Sequence, residues 1–379
     1  MIPLAVPNLT GREAEYLQEC IESTFVSSVG PFVTKFEEVV VECSGSKFCV
    51  ATSAGTTGLH VALEAIGVSR NDLVILPSFT FIASANAIAY CGASPWLFDV
   101  SEESWTLDPA MLARHLASET EQKGEELIHK PTGKKVAAIM PVYTLGMPAN
   151  MDEIVKIAKD YNLPIVADGA AALGATYKNN PSGKLGADLT VYSFNGNKVV
   201  TAGGGGAVVG TNKNLLRLVR HLSTTAKVGE DYHHDKIGFN YRMTNIAAAV
   251  GCAQLERLVE FVDKKRIIQE TYNTELKGLP GVDFIPQPSW AKGTCWLSGI
   301  ILPNLKITES LQIKFRENKM EVKSFWKPIH LQPMFINSPL TTQDICSNVW
   351  NRIVTLPCST GLKESEQELV IETIKKTLC

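Results

Sequence analysis

Ser193-Phe194-Asn195-Gly196-Asn197-Lys198, running into Thr201-Ala202-Gly203-Gly204-Gly205-Gly206, is the stretch on which the reading of this chain turns. It follows the run Leu189-Thr190-Val191-Tyr192, a β-rich string of the kind buried in a sheet. Lys198 is therefore expected in a turn at that strand's end. Partial desolvation there lowers a lysine pKa and makes the neutral amine a nucleophile toward an aldehyde. A solvated turn lysine is the alternative. The string matches neither G-x-x-x-x-G-K-[ST] nor G-x-G-x-x-G, so neither an ATPase nor a dinucleotide enzyme is indicated.

Similar short runs lie upstream: Phe48 to Thr52, Leu73 to Leu76, Trp96 to Phe98, Val136 to Met140 and Ile165 to Ala167. Alternating with helix-like stretches, they predict buried, mostly parallel strands in an α/β domain. Open α/β sheets bind ligands at strand ends, and two further features fall there. Ser53-Ala54-Gly55-Thr56-Thr57-Gly58 precedes a helix read from Leu59 to Ala65; its small residues, hydroxyls and helix N-terminus suit a phosphate. It can equally be a glycine-containing turn with an N-cap. Asp168 closes the run ending at Ala167, where a buried carboxylate needs a cation or good hydrogen bonds. A protonated pyridine nitrogen would be a fitting partner, and capping of the next helix is the alternative.

Near the N-terminus, Thr10 with Glu13 makes a capping-box pattern ahead of Tyr16, Leu17 and Ile21, and Phe32, Phe36, Val39 and Val40 recur at helical spacing. Residues 118–135, rich in Glu, Lys and Gly, read as an exposed insertion between helix and strand. Beyond about residue 211 helical periodicity dominates, first over Leu215, Leu218 and Val219 and then from Ile246 to Leu276. Strand-like pieces at Val282 to Ile285 and Trp296 to Leu302 follow, with an amphipathic helix ending near Leu378. This order predicts a large α/β domain over 1–250 and a smaller α+β domain over 251–379.

The 379 residues, 45% hydrophobic and 20% charged, suffice for two domains with deep cores. A net charge of −3 gives no basic field to attract nucleic acid or an anionic membrane. The nine cysteines are scattered without the paired short spacings of a zinc site, and His233-His234 reads as a solvated loop without metal partners. Free thiols and the lack of a signal core or membrane span point to a cytoplasmic protein.

The segment from Ser193 to Gly206 resembles the cofactor-lysine segment of the DegT/StrS-type sugar aminotransferases, a fold-type-I pyridoxal-phosphate family. Pro77 to Ala87 resembles the family's cofactor-stacking segment, and Gly238-Phe239-Asn240-Tyr241-Arg242-Met243-Thr244-Asn245 its subunit-crossing loop. The resemblance implies that Lys198 anchors pyridoxal 5'-phosphate and that Asp168 pairs with its pyridine nitrogen. It also implies that Phe81 lies on the ring face. Thr56, the backbone of Thr57 and Ser193 would hold the phosphate, with Asn240 of a partner subunit in a homodimer with shared sites. Core packing for Phe81 and a turn for Asn240 are the alternatives. The family usually carries Gln, Glu or His three residues after the aspartate, where this chain has Ala171.

Lys323-Ser324-Phe325-Trp326-Lys327-Pro328-Ile329-His330 resembles a segment R-P-x-W-x-P-x-H of members acting on 4-keto-6-deoxy sugars, with Lys323 and Ser324 replacing Arg-Pro. Lys327 would then meet the diphosphate, His330 the sugar, and Trp326 would form an apolar wall; a core Trp with surface Lys and His is the alternative. The chain looks most like the branch feeding legionaminic-acid or bacillosamine synthesis and like GDP-perosamine synthase. The implied substrates are L-glutamate and a UDP- or GDP-linked 4-keto-6-deoxy hexose, of the 2-acetamido kind, for surface polysaccharide or nonulosonic acid. A sugar dehydratase of the same fold, which would resemble this family with histidine in place of the lysine, and a binding or regulatory protein weakened at Ala171, are the rival readings.

Overall fold

The computed structural model describes residues 1–378 of the 379-residue chain. In chain order its main strands are β1 (Phe48–Thr52), β2 (Leu73–Pro77), β3 (Ser94–Phe98), β4 (Thr120–Lys123), β5 (Glu126–His129), β6 (Lys134–Ile139), β7 (Val166–Asp168), β8 (Leu189–Ser193) and β9 (Gly206–Gly210). Hydrogen bonding gives the orders β1-β9-β8-β7 and β3-β2-β6, and parallel bridges Ile139–Ile165 and Val142–Asp168 join β6 to β7 into one mixed sheet. Within that sheet β9 runs antiparallel to both β1 and β8, whereas β8–β7, β6–β2 and β2–β3 are parallel.

The helices are α1 (Glu13–Glu22), α2 (Pro31–Ser44), α3 (Gly55–Ala65), α4 (Ile82–Tyr90), α5 (Pro109–Glu119), α6 (Met151–Asp160), α7 (Lys213–Ser223), α8 (Asn245–Leu255), α9 (Leu258–Leu276), α10 (Leu305–Glu317), α11 (Asp344–Val349) and α12 (Glu364–Leu378). Strand periodicity decides which helix meets which face. Val74 and Leu76 join an apolar cluster with Leu59, Ile88 and Val219 of α3, α4 and α7. Leu73 and Ile75, pointing the other way, join one with Leu112 and Ile154 of α5 and α6. Both faces are dry, which explains the unbroken apolar runs. Farther along the chain, β10 (Asp283–Phe284), β11 (Ser298–Ile301) and β12 (Ile353–Leu356) form a separate antiparallel sheet in that order. α8 packs on α1 and α2, and α9 on β11.

Three local expectations are corrected. α1 starts at Glu13, without a side-chain cap, too late for a box closed by Thr10. The buried Glu13 carboxylate instead accepts from the Gly11 N–H at 2.9 Å and the Gln254 amide at 2.6 Å. α3 starts at Gly55 rather than Leu59, so the small-residue motif is the helix's own first turn. Residues 118–135 are not a wholly exposed insertion: β4 and β5 form a hairpin that pairs with the start of β6. Its Leu127, Ile128 and His129 are buried behind an exposed charged tip, and the tip's composition hides that short apolar triplet. The helical reading from Ile246 to Leu276 holds, as two helices divided at Glu256–Arg257.

His233–His234 pairs with Lys227–Val228 in a short exposed ladder. The eight cysteines among the described residues are free thiols, and Cys379 lies outside those residues. Among the described residues no helix is long and apolar enough to cross a membrane.

Candidate active site

Two parallel strands end side by side, β7 at Asp168 and β8 at Ser193. The start of α3 lies against them so closely that a Cβ on Gly55 would stand 2.8 Å from that of Ser193. A Cβ on Gly206 would stand 2.4 Å from the Ala54 carbonyl oxygen. Glycine is thus required at both places by close approach. The resulting cavity, about 540 Å³, is lined by Thr56, Phe81, Asp168, Ser193, Lys198 and Trp326, among others. Six of the residues singled out from the sequence therefore meet in one place. Thr57, Asn240, Lys327 and His330 do not line it.

Asp168 is 4% exposed. Burial pushes its carboxyl pKa up, while hydrogen bonds from Ser84 and the Ala170 N–H, and the charge of Lys198, pull it back. The Ser84 hydroxyl donates to Oδ2 at 2.6 Å and the Ala170 N–H to Oδ1 at 3.0 Å. Among the described residues no cation lies within ion-pair distance of it. Lys198 lies in the turn after β8, half-buried, with Nζ 3.5 Å from the centroid of the Trp296 ring. Burial lowers its pKa to about 8, a shift the Asp168 charge opposes. A substantial neutral fraction is thus available near physiological pH.

The first turn of α3 has backbone N–H groups without carbonyl partners four residues back, and its dipole favours an anion. Thr57 Oγ1 accepts from the Ala54 N–H at 3.0 Å, which fastens the helix start and commits that side chain inward. Its backbone remains part of the turn. Thr56 and Ser193 bring hydroxyls to the cavity wall.

Aromatic side chains make the opposite wall. Trp326 stacks on Phe325 at 4.6 Å and lies 5.9 Å from Trp296 and 6.2 Å from Phe81, which is 54% exposed. Lys323 and Glu321 also line the cavity and pair at 3.0 Å. Lys327 is exposed away from the lining. His330 has both ring nitrogens engaged, with Ser78 at 2.7 Å and Ser347 at 3.2 Å, and its own N–H reaches the Ser78 hydroxyl at 3.1 Å. It fastens the segment that leads to Phe81. Asn240 is exposed, in a loop whose next residue, Tyr241, accepts from the Ser53 N–H at 2.8 Å.

Ala171 stands at the cavity wall with its carbonyl taken by the Thr294 hydroxyl at 2.7 Å, so its side chain offers the cavity no polar atom. Two residues escaped the sequence reading. Ser84 carried a signal only as a hydroxyl inside an otherwise apolar helix turn. Trp296, whose indole N–H donates to the Asn197 carbonyl at 2.6 Å, read as part of a core strand.

The family described as DegT/DnrJ/EryC1/StrS aminotransferase matches residues 7–375. EpsN of Bacillus subtilis, assigned as a pyridoxal phosphate-dependent aminotransferase, is 36% identical over 378 residues, 98% of this chain and 95% of that protein. GDP-perosamine synthase of Escherichia coli O157:H7 is 35% identical over 376 residues, covering 99% and 98%. A crystal structure of a DegT DnrJ EryC1 StrS aminotransferase from Brucella abortus superposes with a TM-score of 0.88 at 25% identity, covering 97% of this chain and 95% of that one.

Proposed function

We propose that this chain, a transaminase belonging to the DegT/DnrJ/EryC1/StrS aminotransferase family, moves the amino group of L-glutamate to C4 of a nucleotide-linked 4-keto-6-deoxy hexose. The observation that carries this reading is the meeting of Lys198, whose pKa is lowered to about 8, with the buried, cation-free Asp168 in one cavity.

The residues fit pyridoxal 5'-phosphate. Asp168, costly to bury alone, suits a protonated pyridine nitrogen; the α3 turn with Thr56, Thr57 and Ser193 suits a phosphate; Phe81 suits a ring face. When bound, that cofactor supplies an aldehyde to carry the amino group and a pyridinium ring to withdraw electrons. Lys198 would anchor it and, once released, would carry the proton between the glutamate α-carbon and the cofactor. Glutamate would leave as its 2-oxo acid, with water supplying the oxo oxygen. In the second half the keto oxygen of the sugar would leave as water when the nitrogen bonds to C4, and Lys198 would then run the proton transfer in reverse, onto C4. Asp168, held by Ser84 and Ala170, keeps its partner nitrogen protonated throughout. Trp296 and Trp326 line the cavity as an apolar wall beside the reacting carbons.

The GDP-perosamine synthase relative supports a 4-keto-6-deoxy hexose linked to a nucleoside diphosphate. Lys323, at the cavity, is better placed than Lys327 to meet the diphosphate. A 2-acetamido group, and an end use in surface polysaccharide or nonulosonic acid, belong to the same reading. The working unit is a homodimer in which Asn240 closes the partner's phosphate site. Lys198 disfavours the dehydratase reading. Ala171 alone favours a binding protein, and a lost side-chain hydrogen bond, worth on the order of 1 kcal/mol net, is survivable for an enzyme.

The test is incubation of the protein with pyridoxal phosphate, nitrogen-labelled L-glutamate and GDP- and UDP-linked 4-keto-6-deoxy sugars, with and without a 2-acetamido group. Labelled amino sugar from at least one is expected. No transfer to any of them, with the cofactor bound, would overturn the substrate assignment.

A further inference from the structure

Outside the cavity, α3 and α4 bring together a second set of chemistry-bearing side chains. His60 and Glu64 lie one turn apart on α3, and Cys91 follows the last turn of α4. One ligand atom from each lies within 4.8 Å of the others. His60 is 5% exposed and Cys91 8%. The imidazole is fixed by packing on Phe239 and Tyr90 and by the Tyr241 hydroxyl 3.1 Å from Nδ1. With Nδ1–H donated to that hydroxyl, Nε2 carries the lone pair. Nε2 is buried without a hydrogen-bond partner, 3.6 Å from the Glu64 carboxylate. Buried polar atoms are nearly always satisfied, and two acceptors facing one another call for something positive between them.

We propose that His60 Nε2, the Glu64 carboxylate and the Cys91 thiolate bind one divalent cation of the zinc class, with water as the fourth ligand. A nitrogen, an oxygen and a sulfur suit zinc and disfavour magnesium or calcium, which take oxygen alone. A hydrogen bond donated from the other ring nitrogen to the Tyr241 hydroxyl would orient the ring as outer contacts of metal-ligating histidines do. Bonds of about 2.0–2.3 Å set tetrahedral ligand separations of roughly 3.3–3.8 Å. The cluster, whose ligand atoms lie within 4.8 Å of one another, therefore closes by no more than about 1–1.5 Å on binding. On binding, the Cys91 thiol releases its proton to solvent and its sulfur bonds the cation, with no change of oxidation state. The cation ties α3, whose first turn borders the cavity, to α4, which carries Ser84.

The test loads the holoenzyme with zinc, dialyses it against a weak chelator, and measures zinc per chain and the zinc-edge X-ray absorption. About one zinc per chain with one sulfur neighbour at roughly 2.3 Å is expected. Cys91→Ser and Glu64→Gln are each expected to weaken binding at least tenfold. Glu64, at the exposed edge of the cluster, keeps the test decisive if the Cys91 variant folds poorly. Failure to retain zinc, zinc without a sulfur neighbour, or binding undiminished in a folded variant overturns the proposal.

Discussion

Ser84 Oγ donates a 2.6 Å hydrogen bond to Asp168 Oδ2, and Thr80 Oγ1 lies 2.9 Å from the same hydroxyl. The Ser84 bond opposes the burial that pushes the Asp168 carboxyl up. Removing a hydrogen bond to a charged group costs about 1.5–3 kcal/mol. Ser84→Ala is therefore expected to lower cofactor affinity or kcat by roughly ten- to hundredfold, with partial rescue by Ser84→Thr. Because the lost bond favoured the ionised form, the acid limb of the rate profile moves to higher pH. Cofactor titration and a pH–rate profile check this; unchanged curves would make Ser84 merely structural.

Lys198, lowered to about 8 by burial, fixes the sign of a second dependence. Only the neutral amine attacks an aldehyde, so pyridoxal phosphate capture by the cofactor-free protein is expected to accelerate as pH rises through about 8 and to level off above it. Asp168 raises the Lys198 pKa; Asp168→Asn removes that charge and moves the midpoint lower. Stopped-flow absorbance reads both. A midpoint at the ordinary value of 10.5 would contradict the buried environment.

His330, held between Ser78 and Ser347, is expected to act on the fold rather than on the sugar. His330→Ala removes the ring contacts to the buried Ser78 and half-buried Ser347 hydroxyls, at about 1–3 kcal/mol. Thermal denaturation should show a fall in Tm while the KM for the sugar nucleotide changes little. A large rise in KM at unchanged Tm would return His330 to the sugar site.

Asn240 tests the shared site. Asn240→Ala is expected to weaken cofactor binding while the protein still elutes as a dimer, because the exposed side chain serves the neighbour's phosphate. Sizing with cofactor titration decides, and a fully active monomer contradicts it.

Strand ends were legible because burial and chemistry leave local marks. Asp168 and Lys198 each follow an apolar run, and a charge there stands out. Ser84, Trp296 and the His60–Glu64–Cys91 cluster depend on contacts across elements, which no spacing records. Cys91 lies far in sequence from His60 and Glu64, so the search for paired zinc spacings could not find it. The Thr10–Glu13 pattern misled for the same reason: Glu13 is used by Gln254, a residue distant in sequence. The hairpin of β4 and β5 stayed hidden because its buried part is Thr120 and the short run Leu127 to His129 around a charged tip.

The central claim is that Lys198 is the residue that carries the cofactor. Borohydride reduction of the holoenzyme fixes the cofactor to whichever amine holds it, and peptide mass mapping then locates it. The account predicts the cofactor's mass on the peptide containing Lys198 and its loss after addition of excess L-glutamate before reduction. Label on another lysine, Lys323 at the same cavity above all, or label unaffected by glutamate, would contradict it.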